Sequence, residues 1–244
     1  MRKLNISAIR KENIRALKRY ERLGKRIFLN ALKEQAKSFD PNVMKNAYIE
    51  FYQNAFVDAA TREFNRIRVM NRKDFIPDGF FLQTWRAWIG SYVVTNLGGM
   101  IRDVNENTSA KIKIVLGEAA ELGLNPFETA QYLTDIIGDA KRALGIARTE
   151  GTRANSIGKE RSSQDWANET GTELFKLWVH GGSREPRLDH IAMGQNRPIR
   201  KDESFSLGGG MRYPGDPAGG GSQTVNCSCT VVYMSQEYVD RYYG

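Results

Sequence analysis

The residues best suited to chemistry in this chain are its histidines and cysteines, and all four lie within the last 65 of its 244 residues. His180, His190, Cys227 and Cys229 offer two nitrogen and two sulfur donors, a set that tetrahedral zinc prefers. Structural zinc pairs normally leave about two to four residues between cysteines, whereas only Ser228 separates these two. The alternative is that His190 hydrogen-bonds inside a small domain and the thiols lie on alternate sides of a strand. The sequence leaves both interpretations open.

A cationic cluster lies close to one of these histidines. Arg184, Arg187 and His190 recur every three residues, and a helix that starts at Pro186 would place Arg187 and His190 on one face. Such a cluster could bind phosphate or take part in acid–base chemistry. It could equally hold loop carbonyls and nearby carboxylates in place, and we favour that structural role.

Several enzyme classes are excluded by what the sequence lacks. The glycine triplets 208–210 and 219–221 are not followed by Lys-Ser or Lys-Thr, so neither is a phosphate-binding loop. No Ser-His-Asp triad motif or zinc-protease motif is present, and two histidines permit few such sites. We therefore predict that the protein is not an enzyme. The alternative that remains is an enzyme that acts on nucleic acid or nucleotides through a His/Cys site, with or without zinc as a cofactor.

The positive charge of the chain is concentrated at its beginning. The formal net charge is +8, yet residues 1–37 hold twelve lysines and arginines against three glutamates, and the remainder is close to neutral. A segment of this kind attracts a polyanion, either nucleic acid or an acidic protein surface. It could also be the solvated face of an amphipathic helix. A compact recognition-helix signature is missing, which disfavours a stand-alone DNA-binding regulator. The residues predicted to meet DNA or an acidic partner are Arg10, Lys11, Arg15, Lys18, Arg19, Arg22, Lys25 and Arg26.

Hydrophobic periodicity predicts a helical first part. Apolar residues recur at helical spacing from Ile6 onward, and no proline interrupts them before Pro41. Asn125-Pro126-Phe127-Glu128 is a specific helix start, with a capping residue, proline at the first position and an acid at the third. Further helices are predicted from Asp40-Pro41 to 67, from 80 to about 104, from caps at Thr108 and Ser109 to 119, and from 139 toward 166.

The second part is rich in glycine and proline. Strands are predicted over 174–180 and 223–234, a short helix over 186–193 and a terminal helix over 236–243. The fold class is therefore α+β: a mainly α-helical N-terminal part followed by a small, loop-rich α+β C-terminal domain. We expect a helical domain over 1–138 and a second domain over 139–244, which consists of a linking helix over 139–170 and an α+β part over 171–244.

This second part contains an ordered set of residues, namely Arg148, Glu150, Arg153, Trp178, Arg187, His190, Gly194, Phe205, Pro214, Asn226, Cys227 and Cys229. This set resembles the motif of the Mu F-type minor head proteins, or head morphogenesis proteins, of tailed bacteriophages and prophages. The resemblance covers about residues 147–232. The usual ending of the family motif is Asn-Cys-Arg-Cys, and here Ser228 stands where the arginine would be.

The resemblance implies a structural protein rather than a catalyst. It implies a low-copy protein inside the capsid, near the portal, that assists head assembly or the packaging and ejection of DNA. The expected partners are the portal protein, the capsid interior, packaged double-stranded DNA bound without sequence specificity, and other copies of the chain. No membrane partner is expected, because no apolar run is long enough to span one. We expect the protein in the host cytoplasm during assembly and in the virion afterwards.

Overall fold

The structure is a computed structural model that describes residues 3–38, 40–71, 76–183 and 185–244. Its elements, in chain order, are α1 (Ile6–Ser38), α2 (Pro41–Asn71), α3 (Leu82–Asn96), α4 (Gly98–Glu121), α5 (Pro126–Ile137), α6 (Ala140–Thr170), β1 (Leu174–Val179), α7 (Leu188–Met193), β2 (Ile199–Arg200), a 3-10 turn (Pro217–Gly219), α8 (Gly220–Thr224), β3 (Thr230–Ser235) and α9 (Gln236–Tyr243). The predicted α+β class is confirmed, because a mainly helical region precedes a small antiparallel sheet.

The sheet has three strands in the order β2-β1-β3 among the described residues. Strand β1 pairs along its whole length with β3, from Leu174 opposite Ser235 to Val179 opposite Thr230. Every residue of β3 is buried, so the β-branched and aromatic run that predicted this strand is covered on both faces. Because Val179 pairs with Thr230 in antiparallel register, the loop that follows Val179 begins beside the segment that leads into β3.

The described chain forms two compact units. The sheet unit comprises residues within 1–20, 54–86 and 148–244, and the helical unit comprises 21–53 and 87–147. The predicted boundary between residues 138 and 139 falls inside the helical unit and stays a prediction.

Close helix packing and aromatic contacts build the core of the sheet unit. A Cβ at Gly158 of α6 would lie 2.5 Å from the carbonyl oxygen of Phe56, so glycine allows α6 to approach the backbone of α2. The ring of Phe64 meets those of Trp85 and Trp166 edge to face, with centroids 6.1 and 5.6 Å apart. Trp85 also donates from Nε1 to a carboxylate oxygen of Asp165 at 2.7 Å. These contacts fix α6, which carries Arg148 and Glu150.

The helical unit has its own aromatic core and a predicted cap. Phe28 packs against Tyr48 and Phe51, with ring centroids 5.2 and 5.3 Å away. The helix start at Asn125 is confirmed: its side chain accepts from two backbone N–H groups, and Glu128 returns a hydrogen bond to the backbone of Asn125.

One predicted helix boundary is wrong. The segment 80–104 was expected to be a single helix, but it is interrupted at Leu97, where φ is −108° and ψ is 1°, and α4 begins at the next residue. Thr108 and Ser109 therefore lie inside α4 and cap nothing. The hydroxyl of Thr108 donates to the carbonyl of Val104 at 2.6 Å, a bond that lets threonine remain in a helix interior.

The predicted strand over 223–234 is also shorter than expected. Residues 220–224 form α8, and β3 begins only at Thr230. Asn226 has a φ of 55°, a left-handed conformation that interrupts an extended strand. Cys227 and Cys229 consequently precede β3, and the idea that they lie on alternate sides of a strand is wrong.

Candidate metal centre

His190, Cys227 and Cys229 converge in the sheet unit. His190 lies on α7, and the cysteines lie in the segment between α8 and β3. One donor atom from each side chain lies within 4.8 Å of the other two, and all three residues are buried. The structure thus brings together three of the four predicted donors in a cluster that could hold a metal ion.

The distances within the cluster suit a tetrahedral ion. Nδ1 of His190 lies 3.6 Å from Sγ of Cys227 and 3.5 Å from Sγ of Cys229. An ion about 2.3 Å from sulfur and about 2.0 Å from nitrogen, with a tetrahedral angle between them, requires a separation of about 3.5 Å. The single residue between the cysteines, which argued against a shared ion, therefore does not prevent both thiols from reaching one position.

Neighbouring side chains determine which nitrogen of His190 faces the thiols. Asp189 accepts a hydrogen bond from Nε2 of Gln223 at 2.8 Å, and this turns the Gln223 oxygen toward His190. That oxygen lies 2.7 Å from Nε2 of the imidazole, which must be the donor. Nδ1 is therefore the nitrogen left to face the thiols. Metal-binding histidines are commonly oriented in this way, by a second group that accepts from the other ring nitrogen.

The pKa values of the two thiols are shifted in opposite directions. The pKa of Cys229 is lowered by hydrogen bonds from Cys227 and His190, which outweigh the opposing effect of burial. The pKa of Cys227 is raised well above its usual value, because its thiol donates to Cys229 and is buried. Burial lowers the pKa of His190, but its hydrogen bond and charge interaction with Cys229 reverse the shift and raise it. Negative charge buried in this way favours a cation beside it.

The segment that carries the cysteines is held by α6 and by the loop after β1. The hydroxyl of Thr152 donates to the carbonyl of Cys227, and the backbone N–H of Asn226 donates to Thr149 at 3.2 Å. A Cβ at Gly181 would lie 2.2 Å from the carbonyl oxygen of Ser228, so only glycine at position 181 lets this loop approach Ser228 so closely. The positions of both thiols thus depend on backbone contacts rather than on a metal alone.

The aromatic residues of the motif pack around His190. Trp178 meets the imidazole edge to face, with ring centroids 5.3 Å apart, and contacts Phe205 in the same manner at 5.3 Å. Both Trp178 and Phe205 are buried. Gly194 caps the end of α7, and Pro214 is buried.

The charged residues of the motif have different surroundings. Arg153 donates from Nη1 to both carboxylate oxygens of Glu150 at 2.5 and 2.6 Å, and from Nε to the carbonyl of Gly215 at 3.0 Å. This ion pair is almost fully buried. Arg148 is exposed, and Arg187 donates to the carbonyl of Val225 at 2.8 Å. Arg187 therefore holds a loop carbonyl, as predicted, whereas Arg184 lies outside the described residues.

A cavity of about 560 Å³ opens on the cluster. It is lined by His180, Ser183, Glu185, Arg187, His190 and residues 225–229. His180 belongs to this wall rather than to the group of three donors, and its Nδ1 accepts from the backbone N–H of Gly182 at 3.2 Å. The cavity gives the candidate metal position a route to solvent.

The basic residues of α1 divide into an internal and an exposed set. Arg10 is half-buried, and its Nε donates to the carbonyl of His180 at 2.9 Å, so it supports the loop beside the cluster. Arg19 is exposed and forms an ion pair with Asp58 at 3.1 Å. The other predicted residues are also exposed, namely Lys11, Arg15, Lys18, Arg22, Lys25 and Arg26. These seven exposed side chains are accessible to a polyanion.

Sequence reasoning missed two residues that orient the cluster. The sequence indicates Asp189 only as one of the carboxylates near the cationic cluster, and Gln223 only as the start of a predicted strand. The adjacency of Asp189 to His190 was an available signal. Gln223 carried none, because the turn of α8 that brings it to the imidazole was not predicted.

No protein-family model, curated protein or solved structure matches this chain. Among the described residues, no helix is both long enough and apolar enough to cross a membrane.

Proposed function

We propose that this protein is a structural minor head protein of a tailed phage or prophage, associated with the portal inside the head, where it assists head assembly or the packaging and ejection of DNA. One observation carries the proposal. The motif residues that resemble this family, although distant in sequence, pack largely as the buried framework of one compact unit. The buried pair of Arg153 with Glu150 and the ring contacts of Trp178 are part of that framework. Residues used in this way maintain the shape of the unit, which supports a structural role for it.

The exposed basic residues of α1 support the proposed contact with DNA or with an acidic partner. Lysines and arginines that release counterions from phosphates bind duplex DNA without sequence preference and with strong salt dependence. This is the kind of contact that a protein beside packaged DNA needs.

Disruption of the reading frame in a strain that produces the particles tests this function. We expect a loss of infectious particles, with defective heads or heads that fail to deliver DNA, and recovery when the intact chain is supplied in trans. Normal yield and infectivity without the protein would contradict the proposal.

For the cluster in the sheet unit, we infer that the metal is zinc and that its role is to hold the cysteine segment to α7. Two thiolates and an imidazole are soft or borderline ligands, which favour zinc over magnesium or calcium. Metal analysis of the purified full-length chain should give one zinc per chain, lost in His190→Ala and in Cys229→Ser. A metal-free protein that takes up no zinc when it is supplied would contradict this assignment.

A second function is favoured by the cavity that reaches the cluster. An enzyme that acts on nucleic acid or nucleotides would need such access to a metal or a nucleophile. Turnover that disappears in His190→Ala, in a variant that remains folded by circular dichroism, would support this alternative over the structural one.

A further inference from the structure

The cluster supplies three donors, whereas zinc takes four ligands. Structural zinc sites are almost always closed by four protein ligands, and sites with three leave a position for an exchangeable ligand. Within the described part of the chain, the donor atoms that lie within 4.8 Å of one another come from His190, Cys227 and Cys229. His180 was predicted as the fourth ligand, but it does not belong to this group. An ion bound here would keep one position free of these three residues.

The free position has access to the cavity. All three donor residues form part of the cavity wall, and its volume of about 560 Å³ lies within the range of small-molecule sites. A closed structural zinc site would not need such an opening. The cavity therefore allows a ligand from solvent to reach the ion.

One side of the cavity carries a positive charge held in a fixed place. Arg187 lines the cavity and is tethered through Nη2 to the carbonyl of Val225. This hydrogen bond uses one of the five N–H donors of a guanidinium, whose planar shape matches carboxylate and phosphate oxygens. Zinc with two thiolates and a neutral imidazole has no net charge, so Arg187 supplies the fixed positive charge among the cavity-lining residues. Glu185 also lines the cavity, and it is exposed to solvent.

We propose that this site binds an oxyanion, a carboxylate or a phosphate group, at the fourth position of a zinc ion held by His190, Cys227 and Cys229, with Arg187 as its second contact. The inference rests on the zinc assignment above and does not depend on the phage function. The oxyanion would bridge the ion and the guanidinium.

Cobalt substitution of the full-length chain provides the readout. Co²⁺ replaces zinc in tetrahedral sites, and its visible absorption responds to each change of ligand. Acetate and inorganic phosphate are titrated separately, so that the two arms distinguish a carboxylate ligand from a phosphate ligand. We expect a saturable change in the visible spectrum with at least one of them, while the near-ultraviolet thiolate-to-cobalt bands remain.

Two variants test the role of the arginine. Arg187→Gln should weaken binding of the responsive anion about tenfold, the effect of one lost charge-assisted hydrogen bond, with unchanged cobalt stoichiometry. Arg197→Gln is the matched control, because Arg197 is exposed and is not among the cavity-lining residues. Equal anion affinity in Arg187→Gln and in the wild type would overturn the assigned contact.

The remaining outcomes separate this proposal from the zinc assignment. A chain that binds no cobalt overturns both. A chain that binds cobalt but responds to neither anion overturns the open position alone. If the cobalt spectrum of the anion-free protein changes in His180→Ala or Glu185→Gln, and neither anion alters the wild-type spectrum, the fourth ligand is that side chain and the proposal is wrong.

Discussion

His190 presents Nδ1 to the two thiols because its other ring nitrogen is held by Gln223, which is held in turn by Asp189. The pKa of Asp189 is lowered, since hydrogen bonds from Gln223 and from the backbone N–H of His190 outweigh the opposing effect of burial. The series of hydrogen bonds from His190 through Gln223 therefore ends at the carboxylate of Asp189, which can only accept a hydrogen bond. The orientation of the imidazole is fixed before any metal binds.

Loss of this support should weaken metal binding without removing a ligand. We expect Gln223→Ala to lower zinc affinity about 10- to 100-fold, the usual cost of losing a group that orients a ligand. Competition with a chromophoric chelator measures this affinity. Gln236→Ala is the control, since the side chain of Gln236 donates to Asp240 of the same helix and Gln236 lies outside the cavity wall. Equal affinities in the two variants would show that Gln223 does not orient the ligand.

At this scale the sequence predicted the types of donor residue, but not which of the four donors come together. Two histidines and two cysteines in one domain suggested a site with four ligands. The spacing of Cys227 and Cys229 argues against a shared ion, because structural zinc pairs normally leave about two to four residues between cysteines. The left-handed Asn226 and the contacts of the next residues with α6 determine their actual position, and neither follows from spacing.

At the scale of elements, the position of α6 depends mainly on its close contact with α2. Gly158 faces the backbone of α2 so closely that a methyl group cannot fit, whereas Gly145 of the same helix has no other atom within 4 Å of an added Cβ. Glycine therefore permits close helix packing at position 158 of α6 but has no such role at position 145.

These two glycines give opposite predictions for the same substitution. Gly158→Ala should lower the free energy of unfolding by about 1–3 kcal/mol, because the methyl group forces the helices apart. Gly145→Ala should raise it by up to about 1 kcal/mol, because alanine favours a helix. Denaturant unfolding followed by circular dichroism measures both. Destabilisation by both variants to the same extent would contradict the packing of α6 on α2.

Element prediction succeeded where local signals were strong. The terminal helix over 236–243 and the capped start at Asn125 were predicted because their signals lie in a few adjacent residues. The break at Leu97 was missed because its apolar neighbours continue the helical spacing, and a single change of backbone angles leaves no trace in that spacing. Thr108 was misread because threonine suits both a cap and a helix interior with a back-bonded hydroxyl.

At the scale of the whole molecule, charge is the property that the sequence alone revealed. The net charge of +8 originates in the first 37 residues, and seven of the eight basic residues singled out there are exposed. Arg10 differs, because it supports the loop at His180. The electrostatic contribution to partner binding should therefore come from the exposed set.

Neutralisation of that set should change the salt dependence of DNA binding. We expect the variant Lys11→Gln, Arg15→Gln, Lys18→Gln, Arg22→Gln to bind duplex DNA more weakly, with a slope of log affinity against log salt reduced by about three to four. Fluorescence anisotropy at several salt concentrations measures this slope. The control replaces four exposed cations elsewhere, with Lys113→Gln, Lys141→Gln, Arg197→Gln and Arg241→Gln. Equal slopes in both variants would assign DNA binding to overall charge rather than to α1.

The location of the protein in a particle tests the central claim most directly, namely that it acts as a structural component held at the portal. Particles from the element that encodes it should be purified, cross-linked through lysines and analysed by mass spectrometry together with density maps of the head. We predict cross-links from exposed lysines of α1, such as Lys11 and Lys18, to the portal protein or to neighbouring copies, and density at the portal vertex inside the head. Particles that contain no copy of the chain, or that carry it only away from that vertex, would contradict the claim.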